Sequence, residues 1–219
     1  MNNNSVIPLF PLPIAVLPGE TMPLHIFEQR YQALVADCRD LERGDGTSSF
    51  GLSFAVDDTL REVGCLVRIT EIAHEYKDGR IDIITVGVRR YRIVELFRDR
   101  SLYIQAEVEF FDDLIETKTD PTLRNDAIQI HSELLDQLET SKTPIHVPDD
   151  AEASWLLAQQ AGLEAKQKQE LLEMYEENKR LKFLIRYFKR LLLSLNETTA
   201  IRKRIKANGF FRQLKGIDV

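Results

Sequence analysis

The chain has 219 residues, of which 43% are hydrophobic and 29% charged, with a net charge of −6. That balance supports a folded core and excludes a disordered polyelectrolyte. No uncharged apolar run reaches the ~18 residues that a membrane-spanning helix needs, and two cysteines, Cys38 and Cys65, are too few for a disulfide framework.

The charge is unevenly spread. Residues 1–163 carry 15 basic against 28 acidic side chains and residues 164–219 carry 14 against 7, so that −13 and +7 make up the total. An acidic body with a basic C-terminal segment raises nucleic acid or an acidic partner as a hypothesis. The first residues, MNNNSVIPLFPLP, lack the basic stretch and cleavage site of a secretory signal. A cytoplasmic protein without a membrane anchor is expected.

Residues 7–17 form a proline-punctuated, extended and apolar entry that ends in the turn signal Pro18-Gly19. Proline removes backbone donors, so this segment is expected at an edge or as a covering strand. A helix is expected over about 26–39, with Phe27, Tyr31, Leu34, Val35 and Cys38 on one stripe. Strands are expected over 50–56 and 64–76, then a hairpin turn at Asp78-Gly79 and a strand over 80–97. In that last run Ile84, Val86 and Val88 share one parity and Tyr91 and Ile93 the other, which predicts a bulge near Gly87–Arg90. A further strand over 102–111 alternates, with Leu102, Ile104, Ala106, Val108 and Phe110 facing one way.

The polar stretch 112–122 is the expected boundary, dividing a β-rich unit (1–115) from a helical one (122–219). Beyond it, Ala127, Ile130, Leu134 and Leu138 make one stripe with Leu135 beside it, and Asp149 or Asp150 can cap the helix that holds Trp155, Leu156 and Ala158. Gly162 breaks the pattern. A long helix follows over 177–207, with Leu181, Leu184, Phe188, Leu191 and Leu195 as its stripe and Asn208-Gly209 as its stop.

Motifs that carry chemistry are missing. No glycine-rich phosphate loop is present, no Cys/His spacing suits zinc, and no nucleophile elbow occurs. Cys38 lies on an apolar stripe and reads as a small hydrophobe. The pairs Asp57-Asp58, Asp112-Asp113 and Asp149-Asp150 read as turn and linker residues. His131 reads as a structural residue beside a helical stripe. No cofactor, metal or enzymatic activity is therefore expected. The basic residues Lys179, Arg180, Lys182, Arg186, Lys189, Arg190, Arg202, Lys203, Arg204 and Lys206 read mainly as the polar face of an amphipathic helix.

The strings IPLFPLPIAVLPGETMPLHIFEQRY, GCLVRITEI, GRIDIITVGVRRYRIVEL and KQELLEMYEENKRLKFLIRYFKRLL together resemble the N-terminal, substrate-binding domain of Lon proteases, over about Ile7–Asn208. The resemblance implies an α+β fold: a PUA-like pseudo-barrel followed by a helical bundle with a long last helix. In full-length Lon such a module precedes an ATPase and a Ser–Lys protease, neither of which lies within this sequence. Gly209 and Gly216, after the helical pattern, suggest a stand-alone member.

The resemblance implies a non-catalytic module that binds unfolded or extended polypeptide, linked to proteolysis or quality control, with an ATP-dependent protease as a further partner. Leu12, Ile14, Leu17, Pro18, Pro23, Leu24 and Ile26 are the candidate peptide-binding residues. An alternative places a site in the cleft between the two units, using His25, Glu28, Arg30 or Tyr31. Another reads the basic C-terminal helix as a nucleic-acid surface, against which the acidic body counts. The apolar stripe of that helix also allows self-association.

Overall fold

A computed structural model describes residues 4–39, 48–57, 59–114, 118–138, 146–149 and 151–214, with side chains described as far as residue 197. Six strands come first: β1 (Asn4–Leu12), β2 (Thr21–Ile26), β3 (Ser49–Val56), β4 (Thr59–Glu75), β5 (Ile81–Phe97) and β6 (Gln105–Phe110), with helix α1 (Gln29–Arg39) between β2 and β3. Four helices follow: α2 (Pro121–Gln137), α3 (Ala153–Gln159), α4 (Ala165–Leu172) and α5 (Glu177–Leu214).

The architecture is α+β. Strand order is β2-β5-β4-β3-β1-β6, and β5 also pairs with β6, so five strands are bonded in a ring and β2 is appended to it. The β4–β5 hairpin makes this possible. Each strand is 17 residues long, and Gly79 turns between them with φ of 89°, a value that favours glycine. Residues 81–86 of β5 lie between β2 and β4, whereas residues 91–97 carry β6. Between the two stretches the register with β4 slips from Arg89 to Gly87, leaving Val88 as an extra residue. The expected bulge is therefore present, and it bends β5 from one neighbour to the next.

At that bend Gly87 exchanges backbone hydrogen bonds with Gly19 and Glu20 at 2.8 and 2.9 Å. A Cβ on Gly87 would stand 2.2 Å from the Leu17 carbonyl oxygen, so only glycine allows the approach. Tyr91, fully buried, bonds its hydroxyl to Ser53 at 2.7 Å and fills the space beside Gly51 and Gly64.

The entry strand, expected at an edge or as a cover, is instead a member of the ring. Asn4–Pro8 pair with β6 and Leu9–Leu12 pair in parallel with β3. β1 thus closes the ring, but its two halves use different neighbours. Pro8 and Pro11 are tolerated because neither half needs ladder bonds on both sides.

Three apolar clusters fill the fold. Ile7, Leu9, Tyr91, Ala106 and Val108 form one beneath β1 and β6. Phe10, Val16, Leu24, Ile26 and Ile83 join Tyr31, Leu34, Val35 and Cys38 of α1 in another. The third joins the sheet to the helices: Ala15, Leu17, Phe54, Val63 and Cys65 meet Trp155, Leu157, Leu181, Leu184 and Phe188. Burying each large side chain contributes about 1.5–3 kcal/mol.

Several local expectations change. Phe27 precedes α1 and is 63% exposed, because β2 runs through Ile26 and the helix begins only at Gln29. β4 starts at Thr59, five residues earlier than its apolar pattern. Leu102 lies outside β6 and is exposed, as is Leu138 just past α2. The N-cap of α3 is Glu152 rather than Asp149, and Asp150 lies outside the described residues. Asp120 caps α2 by accepting from the Thr122 amide at 2.8 Å, with Pro121 at the first helical position. Gly162, with φ of 67°, separates α3 from α4 as expected. α5 continues through Asn208-Gly209 to Leu214, so that pair is not a helix stop.

Candidate functional site

β2 hydrogen-bonds with β5 alone among the described residues, from Thr21 opposite Val86 to Ile26 opposite Ile81. Alternation along β2 sends Leu24 and Ile26 into the core and leaves Thr21, Pro23 and His25 exposed. Directly across from His25 lies Asp82, with Nδ1 and Oδ1 2.5 Å apart, and Tyr76 donates its hydroxyl to the other Asp82 oxygen at 2.8 Å. The hydrogen bond from His25, then that from Tyr76, holds the Asp82 carboxyl below the usual carboxylate range.

These bonds organise an aromatic patch beside the open strand. The His25 ring stacks on Phe27 at 6.1 Å and meets the Tyr76 edge at 5.9 Å, and His74 packs edge-on against Tyr76 at 4.4 Å. Gln32 donates to the Phe27 carbonyl at 3.2 Å, fixing the chain as it leaves β2. Glu28 and Arg30 pair with each other in solvent at 2.7 Å. The result is a strand with one side unpaired, flanked by an exposed phenyl ring. Such an edge can accept an extended chain through main-chain hydrogen bonds.

The seven candidate peptide-binding residues divide. Leu17, Leu24 and Ile26 are buried, so their side chains are covered by the protein itself. Leu12 and Ile14 are half-buried and pack against the α1 cluster. Pro18 is half-buried, and Pro23 is exposed on the open strand. Residues 13–20 act mainly as mortar between the two halves. Glu20 accepts from the Leu17 amide at 3.0 Å and pairs with Lys168, while Gln159 donates to the Pro18 carbonyl at 3.2 Å.

The cleft between sheet and helices has different owners from those expected. His25, Glu28 and Arg30 lie at the β2 edge and the start of α1, and Tyr31 is buried against Phe10 with ring centroids 3.8 Å apart. A cleft of about 290 Å³ is instead lined by Pro18, Val88, Arg90, Phe111, Asp113 and Trp155, among others. Behind it sits a buried charge cluster. Arg180, fully buried, donates to Asp113 at 2.7 and 2.5 Å, to Glu177 at 2.8 Å, to Ser154 at 2.8 Å and to the Met174 carbonyl at 3.0 Å. Its guanidinium also lies 4.1 Å from the Trp155 ring centroid. Arg90 pairs with the same Asp113 and donates to the carbonyls of Leu172 and Met174.

Burial alone would raise the Asp113 carboxyl, but the hydrogen bonds and charge of Arg180, then those of Arg90, outweigh it and lower the pKa. For Glu152 burial wins, and its carboxyl is raised. Carboxylate oxygens of Asp113, Glu152 and Glu177 lie within 4.8 Å of one another, a spacing that suits a cation, but the Arg180 guanidinium bonds to all three residues. Arg180 is therefore not part of a basic surface, and Asp113 is not a solvated linker residue. The only local sequence signal for this cluster was the Glu177–Arg180 spacing of three on a helix.

Nothing in the thiols favours nucleophilic chemistry. Cys38 and Cys65 are both buried, and burial pushes each up to about 12. His131 is buried against the Phe188 ring, consistent with a structural residue.

Residues 6–190 match the family described as the ATP-dependent protease La (LON) substrate-binding domain. Among solved structures the chain is similar to the crystal structure of a Lon N-terminal domain protein from Xanthomonas campestris, at 29% identity and a TM-score of 0.63, covering 83% of this chain and 97% of that one. It has the same fold as the N-terminal domain of the Mycobacterium avium complex Lon protease, at 18% identity and a TM-score of 0.63, covering 84% of this chain and 98% of that one.

Proposed function

The chain belongs to the family of Lon substrate-binding domains, and from that premise we propose that it captures unfolded or extended polypeptide along the open side of β2. The observation that carries this reading is that, among the described residues, β2 pairs with β5 alone and runs directly into Phe27, 63% exposed. A visiting strand gains main-chain hydrogen bonds from the edge, and its apolar side chains gain contact with Phe27, His25 and Pro23. Pro23 removes one donor from that edge, which limits self-pairing between copies.

Capture, rather than bond chemistry, is the activity. The bound chain is then delivered to an ATP-dependent proteolytic machine. Of the entry-segment residues, Pro23 remains in the contact surface, with Leu12, Ile14 and Pro18 as peripheral contacts.

Fluorescence anisotropy with a labelled, reduced and carboxymethylated protein and with short apolar peptides tests the reading. Binding is expected with a dissociation constant of about 1–100 μM, weakened about tenfold by Phe27→Ser. Backbone N-methylation of the peptide is expected to abolish binding, because it removes the ladder bonds. Lack of saturation below about 1 mM for every probe, or equal affinity for N-methylated peptides, overturns the strand-addition mechanism.

A further inference from the structure

The helical half carries a second surface that the β2 reading does not use. Between α2 and α5 runs a groove of about 580 Å³ with Leu123, Met174 and Ile185 as its apolar floor and Lys179, Lys182, Arg186 and Lys189 along its rim. Those four cations fall at i, i+3, i+7 and i+10 on α5, a single stripe about 15 Å long at 1.5 Å per residue. Lys179 pairs with Glu176. Lys182, Arg186 and Lys189 are exposed and form no ion pair among the described residues. Asp126 is the one acidic side chain among the described residues that line the groove, and with Glu176 on Lys179 it still leaves Lys182, Arg186 and Lys189 in surplus.

We propose that this groove docks an acidic amphipathic helix of a partner protein. Three observations select that occupant. The rim is positive on a protein whose first 163 residues carry a balance of −13, so an acidic partner is steered here and repelled elsewhere. The floor is apolar and includes a methionine, whose flexible thioether adapts to differing anchors. A cation stripe about 15 Å long matches about ten residues of partner helix, enough for anchors at i, i+3 or i+4, and i+7. A phosphate backbone would engage the rim but leave the floor uncovered.

The test uses the full chain and a fluorescein-labelled synthetic helix of about 12 residues with glutamates on one face and leucines at i, i+4 and i+7 on the other. Binding is expected, weakening by about tenfold or more when the leucines become serines and by a similar factor in the Lys182→Glu/Arg186→Glu variant. Ile185→Ser is expected to weaken it by about threefold or more. Phe27→Ser leaves this binding unchanged, which separates the groove from the β2 edge. Circular dichroism checks that each variant is folded, and all three substituted positions on α5 are exposed or half-buried.

Equal affinity for the serine-substituted helix, or tighter binding of single-stranded RNA of the same charge, would show a general anion surface and overturn the proposal. So would the absence of saturable binding, or binding that survives Lys182→Glu/Arg186→Glu.

Discussion

Arg180 and Arg186 stand six residues apart on α5, about 9 Å along its axis, and serve opposite ends. Arg180 is fully buried and its guanidinium is shared among Asp113, Glu177, Glu152, Ser154 and the Met174 carbonyl. Arg186 is exposed on the rim of the α2–α5 groove. The first locks strand and helix layers together and the second is free to meet a partner. Residue type does not separate them. What differs is whether chain segments far away in sequence bring carboxylates to the position, since a buried charge survives only when its donors are satisfied.

The β2 edge repeats the exposed case with a histidine. His25 and Asp82 are paired at 2.5 Å, yet both side chains stay in contact with water, at 45% and 33% exposure. Their bond orients an aromatic patch and adds little to stability, because solvent screens exposed pairs.

Removing the buried guanidinium gives the largest expected effect. Arg180→Met should cost about 3–5 kcal/mol, since it leaves Glu177 buried without its counter-charge and Asp113 with Arg90 alone. Chemical denaturation measures this, and a loss no larger than that of an exposed variant such as Arg186→Met would erase the contrast.

Acid should sharpen it next. The folded pKa of Asp113 is lowered, so its contribution is complete above the unfolded carboxylate value and disappears as pH falls through the lower folded one. Glu152 works in the opposite sense. Its folded pKa is raised above 4.5, so it favours the fold at low pH, and that contribution disappears as pH rises through the folded value. At pH 7, Asp113→Asn should therefore cost about 2 kcal/mol, and Glu152→Gln markedly less. The gap between wild type and Asp113→Asn should narrow in urea titrations as pH drops below about 4. A gap constant from pH 7 to pH 3 would mean that Asp113 does not act as the ionised partner.

The smallest effect belongs to the edge. Asp82→Asn should leave the urea midpoint unmoved within error, while loosening the orientation of His25 and Tyr76 and weakening peptide capture about two- to threefold. A clear drop in stability would place the pair among the structural contacts instead.

Much of the fold was legible in the chain itself. The parity switch around Gly87–Arg90 located the bulge at Val88, Asp78-Gly79 located the hairpin, and the stripe at Tyr31, Leu34, Val35 and Cys38 located α1. These signals are local: a period of two or 3.6, or a residue able to take a positive φ, constrains its own neighbourhood whatever lies beyond. Less of the candidate site was visible. The entry segment is apolar and stiff, but its pattern could not show that Leu17 is covered by the helices whereas Phe27 is not.

Composition and periodicity alone determined the order of a β-rich part and then helices, the rough positions of most elements other than β2, and the basic character of the last helix. Only the tertiary structure decided that β1 closes a ring, that β2 keeps an open side, and that Arg180 belongs to the core and Arg186 to the surface. Asp113 and Arg180 are 67 residues apart, and β1 and β6 pair across about the whole β-rich half, from Asn4 to Glu109. Which groups neutralise a charge, or saturate a strand edge, depends on contacts between distant segments, and no local pattern encodes their approach.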